Sequence, residues 1–244
     1  MAVRAAKELN DGDVVFVGIG LPNLACNLAR ATHAPNLVLI YESGAVGAIP
    51  DRLPVSIGDP ALVTDSLGVA SMADIFQLYL QGGRIKVGFL GGAQIDRFGN
   101  INSTVIGAYD KPKVRLPGSG GACEIAIHAE RVVVVAPLSP RSFPADVDFI
   151  TSPGQAGKYG TRAELDLPGG GPRRIVTDVG ILEPSGSDGE LELVGIYPNV
   201  AVEDVKKKVG WALRVREDLE RIAPPTAEEL RLLREVLDPQ HLYI

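Results

Sequence analysis

The sequence has little of what marks several large classes of protein. It contains only two cysteines, Cys26 and Cys123, and neither has a second Cys or a His at the spacing of a metal site. We therefore expect free thiols rather than metal ligands or a disulfide. No run of about 18 apolar residues occurs, and the N-terminus lacks the long apolar segment of a secretory signal. These absences predict a cytoplasmic protein that does not contact a membrane.

Positive charge is also scarce. Lys and Arg number 24 against 30 Asp and Glu, which leaves a net charge of −6. The one basic run, residues 206–208, lies in a helical pattern behind Glu203 and Asp204, as is typical of a solvated helix face. A nucleic-acid footprint would need a basic face. We therefore expect no nucleic-acid partner.

The pattern that is present is an alternation of apolar strands and amphipathic helices. Strands are predicted at 14–17, 37–41, 87–90 and 131–135, each as a short buried run. Helices are predicted up to about residue 9, at 24–31 and at 73–81. Such alternation is typical of parallel strands joined by helical crossovers. We expect an α/β fold with a single domain over residues 1–244, built on an open, mostly parallel sheet with helices on both faces.

After Pro153 the sequence pattern changes to short segments separated by Gly and Pro residues. Two alternating segments, 174–182 and 190–196, predict a β-hairpin with residues 185–189 as its connection. The last forty residues are predicted to be helical. The expected architecture therefore ends in a C-terminal β-hairpin and helices.

The most informative stretch is 37–44, where an unbroken apolar strand runs directly into Glu42, followed by Ser43 and Gly44. Ligands bind at the carboxyl ends of strands in open α/β sheets. An acid held there by a buried strand has a fixed geometry. The alternative is an acid that simply begins a surface loop.

Three further glycine-rich junctions follow predicted elements. They contain Gly18 and Gly20; Gly91, Gly92, Ala93 and Gln94, with Asn102 shortly after; and Gly118, Ser119, Gly120 and Gly121. Each alone is typical of a tight turn, but four such junctions at the ends of buried strands would converge on one edge of the sheet. The first is not a dinucleotide fingerprint, because Asn23 stands where a third glycine is needed.

In combination these motifs resemble the family I CoA-transferases, and within them the B (beta) chain of the glutaconate CoA-transferase type. Similar chains carry an acid, a small polar residue and glycine at a strand end, as in residues 42–44. In many relatives this segment reads Ser-Glu-Asn-Gly, from which Tyr41 and Ser43 depart. Residues 91–102 resemble the second characteristic segment of the family and 118–121 the third. The resemblance covers roughly residues 5–240.

The resemblance implies that Glu42 attacks an acyl-CoA thioester and passes through a covalent glutamyl-CoA intermediate. It implies that oxyanions are bound by Gly18, Gly91, Gly92 and Ala93, and that Gly20, Ser43, Gly44 and Gln94 line the substrate site. Asn102 and residues 118–121 are expected to bind CoA or to form structural turns. CoA enters as a substrate, with no permanently bound cofactor and no metal.

The resemblance also implies a partner. A second, A-type (alpha) subunit completes the site in this family, so we expect a hetero-oligomer acting on acyl-CoA and a carboxylic acid. Glutaconate, 3-oxoadipate and other short dicarboxylates all stay open as substrates.

Two other functions are considered. One is an acyl-CoA hydrolase or ring-opening enzyme on the same scaffold, with the glutamate as a base; such relatives are described as losing this glutamate, so Glu42 favours transfer. The other is a non-catalytic ligand-sensing domain, which similarity of fold does not exclude. A sensor would not need the carboxylate of Glu42.

Overall fold

The computed structural model describes residues 1–244 and divides them into two units. Unit 1 comprises Met1–Leu90 with Pro225–Ile244, and unit 2 comprises Gly91–Pro224. Each unit has its own strands, helices and buried side chains, and each is described by itself. The single domain over residues 1–244 stays a prediction.

Five strands of unit 1 lie side by side in the order β5-β1-β2-β3-β4. Their bounds are β1 Val14–Phe16, β2 Val38–Ile40, β3 Ala45–Val46, β4 Gly68–Val69 and β5 Val87–Leu90. The pairs β1–β2 and β1–β5 are parallel, whereas β2–β3 and β3–β4 are antiparallel. The strands predicted at 14–17, 37–41 and 87–90 are therefore confirmed. Their side chains form the apolar core of the unit, where Val15, Leu39 and Val87 are completely buried.

Helices surround these strands. They are α1 Ala2–Ala6, α2 Leu21–Ala31, α3 Met72–Asp74 with a π-helical continuation Ile75–Leu80, a 3₁₀ turn Pro60–Val63, and a C-terminal helix Ala227–Arg231 continued by Leu232–Leu237. Helix α2 begins three residues earlier than predicted. Gly20 starts it with a φ of 94°, which glycine adopts without strain. Pro22 is tolerated in the first turn because the N–H groups there have no helical acceptor.

Unit 2 contains a second set of five strands, in the order β10-β11-β12-β13-β14, and two small hairpins. The hairpins are β6 Gln94–Ile95 with β7 Ile101–Asn102, and β8 Val105–Gly107 with β9 Pro112–Arg115. Helix α4, Ala122–His128, leads into β10, Arg131–Val135, which confirms the strand predicted at 131–135. The remaining elements are β11 Pro172–Val176, β12 Gly180–Ser185, β13 Glu190–Ile196, α5 Val202–Lys206 and β14 Arg214–Arg221.

The segment predicted as one strand at 174–182 is in fact two. β11 and β12 run antiparallel, with Ile175 opposite Leu182. Thr177 makes the reversal, because its Oγ1 accepts from the backbone N–H groups of Val179 and Gly180 and donates to the Gly180 carbonyl. The hairpin predicted around residues 185–189 is present as β12–β13.

The prediction that the last forty residues are helical is wrong for β14. This segment is rich in Arg, Glu and Leu, which favour helices. It forms a strand parallel to β13, and Arg216 forms ion pairs with Glu183 and Glu192 on the neighbouring strands. Cross-strand pairing therefore overrides local propensity here. No helix of the chain is long and apolar enough to span a membrane.

Candidate active site

The ends of three parallel strands lie in register along one edge of unit 1. Phe16 of β1 is paired with Ile40 of β2 and with Gly88 of β5. The backbone N–H of Val17 still donates to the Ile40 carbonyl, at 3.1 Å. Gly18 and Glu42 each stand two residues beyond these paired positions. The first two predicted junctions therefore lie side by side, as expected for adjacent parallel strands.

Glu42 occupies the tip of a tight turn between β2 and β3. The Gly44 N–H donates to the Tyr41 carbonyl at 2.9 Å, and the Tyr41 N–H donates to the Ala45 carbonyl at 3.0 Å. Glu42 and Ser43 are thus the two central residues of a β-turn. Glu42 is half-buried and Ser43 is exposed. A rigid hairpin therefore presents the acid at the edge of the unit.

Gly44 is required by this turn. Its φ is 111°, and a Cβ placed there would lie 2.0 Å from the carbonyl oxygen of Ala70. The Ala70 N–H donates to the Gly44 carbonyl at 2.9 Å. Gly44 therefore lets two backbone segments meet, and this contact fixes the chain directly after the glutamate.

The Glu42 carboxylate itself is unpartnered in unit 1. No side chain or backbone N–H of the unit donates a hydrogen bond to it, and no Lys or Arg of the unit forms an ion pair with it. A structural carboxylate in a half-buried position is usually hydrogen-bonded. The oxygens of Glu42 are instead available for an external group.

Directly before the glutamate, Tyr41 is completely buried. Its phenol oxygen accepts a hydrogen bond of 2.8 Å from Nδ2 of Asn23, the third residue of α2. Burial raises the pKa of the Tyr41 phenol well above its usual range. Asn23 is also completely buried, and its Oδ1 accepts from Asn27 at 3.0 Å. The start of α2 and the glutamate turn are thereby linked.

The Gly18 and Gly20 junction has open space around it. A Cβ built on either glycine would meet no protein atom within 4 Å. Gly18 is exposed, and Gly20 lies directly before the first turn of α2. These glycines are not required by packing in unit 1, and their backbone is accessible to a ligand.

The third junction lies in unit 2 and is organised by Gln94. The Gln94 Oε1 accepts from Asn102 Nδ2 at 2.7 Å and from the Asp148 N–H at 3.1 Å, while its Nε2 donates to the Asp148 carboxylate at 3.1 Å. The β6–β7 ladder pairs Gln94 with Asn102. The amide of Gln94 therefore has partners on both sides within its own unit, as a structural cross-link does.

The neighbours of Gln94 differ in their accessibility. At Gly92 a Cβ would lie 2.3 Å from the side chain of Ile101, so packing within unit 2 requires a glycine there. The Ala93 N–H donates to the Asn102 carbonyl at 2.9 Å. Gly91 and Ala93 are both exposed. The structure thus gives Gly92 a packing role and leaves the surfaces of Gly91 and Ala93 open.

The fourth junction also belongs to unit 2, but it does not follow a buried strand. It comes after β9, which is exposed along its whole length. The Gly118 N–H donates to the Ser103 carbonyl at 2.8 Å, and the Ser103 hydroxyl donates back to Gly118. Ser119 and Gly120 are exposed, whereas Gly121 is buried just before α4. This loop therefore lies next to the turn after β7. The side-chain NH₂ group of Asn102 stabilises that turn by donating hydrogen bonds to Gln94 and to the Val105 carbonyl.

Sequence reasoning missed two residues of these networks. In the sequence, Asn23 was noted only as the residue that breaks the dinucleotide fingerprint. The signal that could have identified it is its place on the buried face of a helix, where a polar side chain needs a hydrogen-bond partner. Asp148 carries no local signal, because it meets Gln94 across 54 positions of the chain. Both cysteines are free; Cys26 is buried and Cys123 is half-buried.

Comparison with known proteins gives consistent matches. The family model described as Coenzyme A transferase matches residues 1–208. The chain is 51% identical to the B chain of 3-oxoadipate CoA-transferase from Pseudomonas knackmussii, over 96% of this chain and 90% of that protein. It is 37% identical to the B chain of glutaconate CoA-transferase from Acidaminococcus fermentans, over 100% of this chain and 92% of that protein.

Structural similarity agrees with the sequence matches. The crystal structure of the Acidaminococcus fermentans glutaconate CoA-transferase matches with a TM-score of 0.91 and 34% identity, covering 100% of this chain and 95% of the other. The predicted α/β fold class is thereby confirmed. More distantly, the chain is 24% identical to the IpdB subunit of a cholesterol ring-cleaving hydrolase of Mycobacterium tuberculosis, over 99% of this chain and 94% of that protein.

Proposed function

The chain belongs to the coenzyme A transferase family, and we propose that Glu42 is the residue that carries CoA during the reaction. The protein is a CoA-transferase subunit, which moves CoA between an acyl-CoA and a carboxylate. One observation supports the role of Glu42 above all. Its backbone is fixed by a hairpin turn, whereas its carboxylate has no partner in unit 1. A nucleophile needs that combination of fixed position and free oxygen atoms.

In the first half of the proposed reaction, the Glu42 carboxylate attacks the thioester carbonyl of the donor acyl-CoA. The C–S bond breaks, CoA leaves as a thiolate, and an acyl-glutamyl anhydride remains. The thiolate then attacks the glutamyl carbonyl of the anhydride. This releases the donor's carboxylate and leaves CoA on Glu42 as a thioester.

In the second half, the acceptor carboxylate attacks the glutamyl-CoA thioester, which gives a new anhydride and CoA thiolate. Attack of the thiolate on the acceptor's acyl carbonyl then forms the new acyl-CoA and regenerates Glu42. Charge is conserved in each exchange, so no external acid or base is needed.

Each carbonyl attack produces an oxyanion that requires hydrogen-bond donors. Gly18 is our first candidate, because it and Glu42 each stand two residues beyond the paired residues Phe16 and Ile40, and a ligand can approach its backbone. One such donor is worth about 3 kcal/mol of transition-state stabilisation. Gly91, Gly92 and Ala93 of unit 2 are further candidates for oxyanion binding. Gly20, Ser43, Gly44 and Gln94 are proposed to line the substrate site, with Asn102, Gly118, Ser119, Gly120 and Gly121 as CoA contacts or turns.

We propose that the partner is an A-type (alpha) subunit, since the relatives are named as B-type chains. The exposed surface supports this. Of fifteen large apolar side chains that are exposed, eight lie in one stretch of unit 1, which we call the 49–78 surface. They are Ile49, Val55, Ile57, Val63, Leu67, Val69, Met72 and Leu78. Monomeric proteins rarely leave such apolar clusters uncovered.

The 49–78 surface is continuous with the glutamate turn. Ala70 donates to Gly44, Leu67 donates to Val46, and Ile49 donates to Thr64 along one backbone ladder. β4 is the edge strand of this ladder and is exposed. A subunit that covered the ladder would also shield the anhydride and the thioester from water, which would otherwise hydrolyse them.

Short dicarboxylates and 3-oxoacids are the proposed acceptors, by analogy with the named relatives. The hydrolase alternative is less well supported, because the identity to the hydrolase subunit is 24% against 51% and 37% to the transferase subunits. A purely sensory domain would not require a reactive carboxylate.

Co-expression with the A-type subunit tests this proposal. The purified complex should be screened with several acyl-CoA donors against free glutaconate, 3-oxoadipate and acetate, with products identified by mass spectrometry. We expect formation of a new acyl-CoA that depends on the free acid. Release of free CoA at the same rate with and without the acceptor would favour hydrolysis instead.

A further inference from the structure

The hydrogen bond between Asn23 and Tyr41 joins the first turn of α2 to the residue that follows β2 in the proposed site. It is 2.8 Å long, and both side chains are completely buried. We infer that this bond is a positioning device, which holds the Glu42 turn at a fixed distance from the backbone of Gly18 and Gly20. The inference rests on the proposed role of Glu42 and extends it to residues that do not touch the substrate.

The orientation of the Asn23 amide is itself fixed. Asn27 Nδ2 donates to Asn23 Oδ1 at 3.0 Å and to the Asn23 carbonyl at 2.9 Å, one turn earlier in the same helix. Since the Asn23 oxygen accepts from Asn27, the NH₂ group of Asn23 is the part that faces the phenol. The two asparagines and the tyrosine therefore form a short chain of hydrogen bonds in which Asn23 and Tyr41 are completely buried and Asn27 is half-buried.

The position of Glu42 depends on such anchors because its carboxylate has none of its own. On one side of the turn, Gly44 is held against Ala70 by a backbone hydrogen bond. On the other side, Tyr41 is the residue directly before Glu42, and its side chain is held by α2. The proposed nucleophile therefore lies between Tyr41 and Gly44, both of which are fixed by contacts outside the turn.

Asn23 connects this anchor to the proposed oxyanion donors. It lies three residues after Gly20, in the first turn of α2, so a shift of the helix start would move Gly18 and Gly20 relative to the glutamate. Catalytic groups must be held within about 0.5 Å of productive geometry. Displacement by about 1 Å costs up to about 100-fold in rate. A single buried bond between the two elements therefore acts on the reaction through position alone.

The test uses the complex with the A-type subunit, with succinyl-CoA and 3-oxoadipate as probes. Tyr41→Phe and Asn23→Leu each remove one partner. We expect kcat to fall about 10- to 100-fold in each, with KM for succinyl-CoA changed by no more than about threefold. Single-turnover trapping should show slower formation of the glutamyl-CoA thioester. The double variant should be no slower than the slower single variant, because both changes break the same bond.

Asn23→Asp provides a conservative rescue, because a carboxyl group at this position can still hydrogen-bond the phenol. Its kcat should stay close to that of the wild type when Tyr41 is present, and fall when it is combined with Tyr41→Phe. Thr177→Val is the matched control, since it deletes a buried hydroxyl that donates to a backbone carbonyl at 2.7 Å in unit 2. It should lower Tm without changing kcat per folded molecule.

The inference is overturned if Tyr41→Phe and Asn23→Leu lower Tm as Thr177→Val does but keep the wild-type kcat and rate of thioester formation. If either single variant does not fold, the double variant decides, because apolar replacement of both partners leaves no unpaired buried group. Full activity in the double variant would likewise overturn it. By contrast, absence of a Glu42 thioester in an active wild-type enzyme would refute the proposed function itself.

Discussion

Replacement of Glu42 by Gln is the change whose outcome the structure defines best. The carboxylate is half-buried and forms no hydrogen bond or ion pair in unit 1. An isosteric amide therefore breaks no internal contact, and we expect the free energy of unfolding to change by no more than about 0.5 kcal/mol. An amide oxygen is a poor nucleophile, so kcat should fall by at least about 10⁴-fold. That loss corresponds to about 5 kcal/mol of transition-state stabilisation.

Glu42→Asp tests position separately from charge. The backbone of the turn is fixed by the Tyr41 and Gly44 hydrogen bonds, so the shorter side chain withdraws the carboxylate by about 1.5 Å, the length of one C–C bond. This exceeds the tolerance of about 0.5 Å for a catalytic group. We expect a loss of at least about 100-fold in kcat, with stability again close to that of the wild type.

The assay is chemical trapping. The complex is incubated with acyl-CoA and then with borohydride, which reduces a glutamyl-CoA thioester to an alcohol and inactivates the enzyme. Peptide mapping should then show that residue 42 has lost one oxygen atom and gained two hydrogen atoms. Asp51→Asn, at the next acidic residue along the chain, is the control and should be trapped normally. Transfer at full rate without labelling, labelling of another residue, or a Glu42→Gln enzyme within tenfold of wild type would refute the reasoning.

Three further outcomes are expected. Gly18→Ala should fold with an unchanged Tm, because the added Cβ meets no protein atom. If a ligand approaches Gly18, the same variant should lower kcat/KM at least tenfold. Gly58→Ala is the control: its Cβ is equally unobstructed, and it should leave Tm and kcat/KM unchanged. Leu67→Lys, at a side chain that is 78% exposed, should weaken association with the A-type subunit in sedimentation, whereas Leu165→Lys, exposed in unit 2, should not. Gln94→Ala should cost about 1–3 kcal/mol in urea denaturation, because the completely buried Asn102 loses the oxygen that accepts its amide hydrogen bond. A normal urea midpoint with a 10- to 1,000-fold lower kcat would instead favour the proposed place of Gln94 in the substrate site.

The strands of unit 1 could be predicted because their signal is local. Residues 14–17 and 37–41 are short apolar runs bounded by glycine, asparagine or acids, and runs of this length favour a buried strand over a buried helix. β14 could not be predicted in the same way, since Arg214–Arg221 reads as a helix. Its ion pairs with Glu183 and Glu192 exist only after the neighbouring strands have formed. Helix propensity therefore predicted the wrong secondary structure for residues 214–221, because ion pairs with residues distant in the sequence stabilise the strand.

The same distinction applies to the candidate site. The proposal that Glu42 is the nucleophile followed from its place at the end of a buried strand, which is visible in the sequence because the turn is made by adjacent residues. The Asn23–Tyr41 bond joins residues 18 positions apart, and the Gln94–Asp148 bond joins residues 54 positions apart. No spacing rule connects such pairs in one sequence. The sequence therefore indicated candidate strand ends for the site, but not the buried polar groups beside them.

Glycine is the residue for which the sequence signal was most ambiguous, and the structure separates its two physical causes. At Gly44 and Gly92 a Cβ would lie 2.0 Å and 2.3 Å from other protein atoms, so those glycines are explained by packing within their own units. At Gly18 a Cβ would meet nothing, and its φ does not require glycine. Gly58 is equally unobstructed, so it is the place of Gly18 just beyond the end of β1 that suggests an external group there. Gly18 and Glu42 each stand two residues beyond the paired residues Phe16 and Ile40, so we expect that group to bind beside the proposed nucleophile.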